Sequence, residues 1–225
     1  MHRRRLTRAL IALAVPALLV PAVASSATAA ASYPDVPSVD AVAEIYPHLD
    51  GGTANESTSK VYGPGKNCKP GKAISGAGAR SASYSPDYSS GDPDVYVIDG
   101  EHPMVSVTAM RFPSTKAAVK YLHGYGKTAQ HCGGGGGGGT GGGGGGGASC
   151  DTKTKKITFD LGDERWGYQY RSTCRTAGQT STSVINTLFV REGEFIVYAM
   201  AMSMDASAPS IPASVDLTDL ALKSV

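Results

Sequence analysis

Acid–base or nucleophilic catalysis needs a reactive side chain and a partner that orients it, and this sequence offers few such pairs. After the first 31 residues there are four histidines, at positions 48, 102, 123 and 131. His102, beside Glu101 and three residues after Asp99, is the best acid–base cluster, and a simple turn accounts for the same spacing. No Gly-x-Ser-x-Gly elbow and no His-Glu-x-x-His helix is present, so neither an esterase nor a zinc protease has a motif to rest on. Asp92, Asp94, Asp99 and Glu101 carry the oxygen chemistry of a calcium loop, but no Asp/Asn-Gly follows at the required spacing. Cys68, Cys132, Cys150 and Cys174 contain no Cys-x-x-Cys, and no histidine lies at zinc-finger distance from a pair. The expectation is a protein with no catalytic residue, no metal and no cofactor.

The start of the chain says where it works. Arg3, Arg4, Arg5 and Arg8 precede an apolar run over residues 9–24, followed by Ala-Val-Ala and Ala-Thr-Ala. This is the pattern of a secretory signal peptide, and residues 1–31 are read as leader, with a secreted domain over 32–225. No cysteine stands after the apolar run to take lipid, so no membrane anchor is expected. Residues 1–24 hold four arginines and no acid, so the balance of 21 basic to 19 acidic residues becomes 17 to 19 without them. With no basic stripe left, nucleic acid is excluded as a partner. Four cysteines in an oxidising compartment imply two disulfides.

Hydrophobic periodicity then predicts the scaffold. Ser38 caps a short helix carrying Val39, Val42 and Ile45, which Pro47 stops. Strands are predicted over 73–84, 95–98 and 102–112, the last with Val105, Val107 and Ala109 on one face. Ser114 caps an amphipathic helix bearing Ala118, Tyr121, Leu122 and Tyr125, ending by His131. From Cys132 to Cys150 runs a loop with seven glycines, Thr140 and seven more glycines, a segment with nothing to bury. Residues 153–161 and 165–173 are predicted to form a hairpin turning at Gly162-Asp163, with Phe159 facing Trp166 and Ile157 facing Tyr168. That register puts Cys150 and Cys174 on opposite faces, which favours Cys132–Cys150 and, by exclusion, Cys68–Cys174. Residues 181–191 and 194–204 form a second hairpin turning at Glu192-Gly193, apolar on both faces, with Val190 facing Phe195 and Phe189 facing Ile196. Such strands are either buried on both sides or expose an adaptable Met/Tyr surface. A last helix follows Pro209 and Pro212 with Val215, Leu217, Leu220 and Ala221. The fold class is α+β: an antiparallel sheet of five to six strands packed by two or three short helices, with long Gly/Ser-rich loops.

Residues 105–225 resemble the actinobacterial extracytoplasmic sensor-domain family, of the PknH-ectodomain and LpqN type. The matching features, in order, are Arg111-Phe112-Pro113-Ser114, the Ala/Tyr helix running to Cys132, Leu161-Gly162-Asp163-Glu164, and Val190-Arg191-Glu192-Gly193-Glu194. The resemblance implies an antiparallel sheet whose open side binds a small ligand or an envelope component. The chain departs from it in having no kinase domain and in placing its only tryptophan at position 166.

Taken together, these features predict a secreted, non-catalytic, sensor-like binding protein. Its expected ligand surface is Trp166, Tyr168, Tyr170, Tyr198, Met200 and Met202, facing a small apolar molecule, a lipid or a peptide. A cell-envelope protein as partner, and a secreted hydrolase centred on His102, are the competing readings.

Overall fold

The protein, seen in a computed structural model, is described over residues 33–65, 69–131, 149–176 and 178–225. The leader, Cys68, Cys132 and the glycine run lie outside the described residues.

Seven strands form one antiparallel sheet: β1 (Thr53–Pro64), β2 (Pro70–Ser85), β3 (Met104–Arg111), β4 (Ser149–Ile157), β5 (Glu164–Thr176), β6 (Gln179–Glu192) and β7 (Phe195–Ser203). Their order across the sheet is β1-β2-β3-β7-β6-β5-β4, which puts β7 and β3 at the centre. Three α-helices accompany them, α1 (Val39–Ala43), α2 (Thr115–His131) and α3 (Ile211–Lys223). The α+β class holds, with seven strands rather than five or six.

α1 and α2 begin where their Ser38 and Ser114 caps predict, and α3, expected after Pro209 and Pro212, begins one residue after Ser210. Ser38 Oγ accepts from the Ala41 amide, Ser114 Oγ from Ala117, and Ser210 Oγ from Ala213. On one sheet face α1 and α3 pack over Val105, Val107, Val190, Val197, Ala199 and Ala201, with Val42, Tyr46, Leu49, Leu217 and Ala221 descending from the helical side. Asn186, an amide side chain in this layer, is fully buried and bonded through both its oxygen and its nitrogen. It accepts from Gln169 Nε2 (2.9 Å) and donates to the Pro209 carbonyl (2.9 Å) and Ser214 Oγ (3.1 Å). On the opposite face α2 covers one end of the sheet, where Ala118 and Leu122 meet Val61, Met110, Phe112 and Ile196.

Three sequence expectations fail, and one strand lies where none was expected. Residues 95–98 are not a strand: Pro93–Tyr96 is a 3-10 turn begun by Asp92, whose carboxylate accepts from the Asp94 amide. β1 escaped prediction because it is an edge strand, nearly all exposed, with no alternating apolar pattern. In the β6–β7 hairpin Glu192 faces Phe195, so Val190 meets Val197 and Phe189 meets Tyr198. The partners move by two residues, and every side chain keeps its predicted face.

The β4–β5 hairpin shifts by one, which has larger consequences. Ile157 faces Gly167 and Lys156 faces Tyr168. β4 stops at Ile157 because Phe159 and Leu161 leave the strand line and pack into the core beneath α1 and α3. Gly167 makes room for this, since a Cβ there would lie 2.9 Å from the Phe159 ring. With the slip of one residue Cys150 falls directly opposite Cys174, and the two form a disulfide. This overturns the expected Cys132–Cys150 and Cys68–Cys174 pairs.

The loops at one end of β5, β6 and β7 are tied by Arg191, whose side chain is 8% exposed. Its guanidinium donates to Asp163 (2.8 Å), to Glu164 (3.2 Å) and to the Gly193 carbonyl (3.1 Å), while Asp163 also accepts from the Gly193 amide. That amide and the Arg191 guanidinium hold the Asp163 carboxyl below the usual carboxylate range. Gly162, at φ +60°, lies against Val190 and the Arg191 carbonyl and has no room for a side chain. The Asp163-Glu164 pair thus joins the β4–β5 and β6–β7 turns.

Candidate functional site

All six residues expected to form the ligand surface share one sheet face, the one α2 covers at its end. β5 contributes Trp166, Tyr168 and Tyr170, and β7 contributes Tyr198, Met200 and Met202. β6 lies between them, and the pairings arrange the side chains in three ranks: Trp166, Phe189 and Tyr198; Tyr168, Thr187 and Met200; Tyr170, Ile185 and Met202. On β3 the ranks continue to Thr108, Ser106 and Met104.

This array is half-buried, neither a core nor an ordinary wet surface. Trp166 and Phe189 pack against the small core under α2, whereas Tyr168, Tyr170, Tyr198, Met200 and Met202 belong to neither described core. Phe189 and Tyr198 meet at a 40° tilt with ring centroids 4.6 Å apart, and Tyr168 and Tyr170 lie 6.0 Å apart. Thr187, at the middle of the array, is only 2% exposed, and Met104 at its margin is 45% exposed. Beyond Tyr198 the face turns polar, with Ser81 and Thr108 hydroxyls bonded at 2.8 Å across β2 and β3.

At the α2 end, His123 stacks over Trp166 (6.5 Å, 22°) and its Nε2 lies 2.8 Å from Glu164 Oε2. Glu164 reaches back to buried Arg191, so the rim of the aromatic array is fixed by the same cluster that joins the two turns. Sequence reasoning found the β5 and β7 members but left out Ile185, Phe189 and Thr187 between them. The signal was present, because Phe189 and Ile185 share the parity that pairs them with Tyr198 and Met202.

The acid–base cluster is a turn. Asp99 Oδ1 accepts from the His102 amide (2.7 Å) and the Glu101 amide (2.9 Å), with His102 Nδ1 at 3.2 Å. The His102 amide is foremost in holding the Asp99 carboxyl below its ordinary range. Asp92 is occupied in capping the Pro93–Tyr96 turn. Among the described residues no three His, Cys, Asp or Glu side chains converge as metal ligands would, and no helix is long and apolar enough to cross a membrane.

No family model matches the chain, and no curated protein matches it. Among solved structures it is similar to the crystal structure of LpqN involved in cell envelope biogenesis of Mycobacterium tuberculosis. Identity is 14%, over 77% of this chain and 83% of that one, with a TM-score of 0.22. A likeness at that level carries no argument about activity.

Proposed function

We propose that this protein is a non-catalytic, exported binding protein that takes a small apolar ligand, such as a lipid or an apolar peptide, on the aromatic/methionine face of β5, β6 and β7. The observation that carries this reading is the three-rank array. Nine side chains in three ranks, at alternate positions of β5, β6 and β7, place five aromatic rings, two methionines and an isoleucine around Thr187 on one half-buried surface. A soluble protein leaves so much apolar area half-covered at a cost of about 25 cal/mol per Å², which a ligand recovers. Methionine thioethers adapt to shape, so the surface suits a family of related apolar molecules more than one rigid compound. No residue is asked to do covalent work. Export is supported by the leader and by the Cys150–Cys174 disulfide, a bond that persists in oxidising compartments.

Native mass spectrometry of the detergent-free secreted protein, beside a denaturing spectrum, tests the proposal. The expected result is a reproducible added mass that disappears on denaturation and is lost in Tyr168→Ala and Met202→Gln variants that keep the wild-type melting temperature. A bare protein mass, together with no binding of a fluorescent fatty acid by the folded protein, would refute it.

A further inference from the structure

We infer that His48 is an acid-sensitive latch that fastens the segment preceding β1 to the β2–β3 connection, and that its protonation releases the two from one another. The inference is independent of the ligand face.

His48 lies in a 3-10 turn, Pro47–Leu49, between the buried anchors Tyr46 and Leu49. Its Nε2 is 3.1 Å from the Pro103 carbonyl. A carbonyl only accepts, so Nε2 carries the proton, and in the neutral ring Nδ1 is then a bare acceptor. That Nδ1 is buried and has no hydrogen-bond partner. Adding a proton there creates a buried donor with nothing to receive it, beside the edge-on ring of His102 at 5.4 Å. Burial accordingly lowers the His48 pKa below its ordinary value of 6.5, and the neighbouring His102 lowers it further. The Pro103 carbonyl and Asp99 oppose them without reversing the direction.

The charged surroundings give the released ring somewhere to go. His48 and His102 line a cleft of about 410 Å³, together with Asp50 from the same segment and Asp87, Asp92 and Asp94 from the β2–β3 connection. Asp99 faces His102 from the same connection. A neutral imidazole holds Pro103, whereas an imidazolium is better satisfied by turning toward these carboxylates, so one proton exchanges one tether for another. Because the closed form has the lower pKa, the latch is fully fastened above about pH 6.5 and weakens as pH falls below it.

The test combines an NMR titration of histidine Cε1–H between about pH 8 and about pH 5 with amide exchange at both limits, corrected for intrinsic rates. Expected is a His48 midpoint below 6.5. Exchange at the amides of residues 46, 48–50, 102 and 104 should accelerate about fivefold or more at the acid limit relative to β6 amides. His48→Gln keeps an N–H for Pro103 and cannot titrate, so it should abolish the acceleration. His102→Gln, which leaves the latch residue in place, should raise the His48 midpoint. A His48 midpoint at or above 6.5, equal relative exchange at both limits, or an unmoved midpoint in His102→Gln would each overturn the inference.

Discussion

Replacing both members of the Cys150–Cys174 pair by serine tests the β4–β5 register and the stability it confers. The two residues are 24 apart in sequence. In the chain-entropy treatment a cross-link closing a loop of that length removes about 3.5 kcal/mol of freedom from the unfolded chain. For a protein of this size each kcal/mol moves the melting temperature by about 2–4 °C, so the full effect is a fall of about 7–14 °C. β4 is an edge strand whose residues from Cys150 to Lys156 are exposed, and Ile157 is its one buried side chain. Without the disulfide the Ser149 end loses its anchor while Ile157 keeps the other end in register. The double variant should therefore keep its β-sheet circular dichroism, melt lower, and lose amide protection first at the start of β4. Differential scanning calorimetry gives the shift, and peptide mapping of the non-reduced wild-type protein gives the connectivity. A peptide joining Cys150 to Cys132 would refute the register outright. An unchanged melting temperature would refute the claim that the bond anchors β4.

Gly162→Ala should cost about 2 kcal/mol or more in urea titration, because its φ of +60° and the nearby Val190 and Arg191 carbonyl both oppose a side chain. Equal stability would show that the loop can shift away from β6. Tyr46 is 3% exposed and burial pushes its pKa up to about 12 against the opposing pull of Ser214, although no group meets its hydroxyl in good hydrogen-bond geometry. Tyr46→Phe should then be as stable as the parent or about 1 kcal/mol more stable; a clear loss of stability would mean that the hydroxyl is satisfied in solution.

Much of this protein was legible along the chain because local chemistry acts over a few residues. Ser38 and Ser114 stand before helices and cap them, and Pro47 ends the first helical run where the missing amide requires it. Strand parity was legible too: Val105, Val107 and Ala109 share one face, and Trp166, Tyr168 and Tyr170 share another, since side chains alternate whatever the partner. Neighbouring strands were a different matter. Whether Tyr168 stood near Met200 depended on β6 running between β5 and β7, a pairing of segments distant in sequence.

The cysteine pairing marks the boundary most clearly. Alternation within each strand was read correctly, placing Cys150 with Thr154 and Lys156, and Cys174 with Trp166 and Tyr168. The pairing between the strands hinged on whether Phe159 continued the strand or left it, and it left because a core built by α1, α3 and β6 offered burial over Gly167. Local chemistry along the chain sets which residues cap, which alternate and which can be buried. Register, and with it the disulfide, the Arg191 cluster and the three-rank array, comes from contacts between distant segments that no local pattern can align.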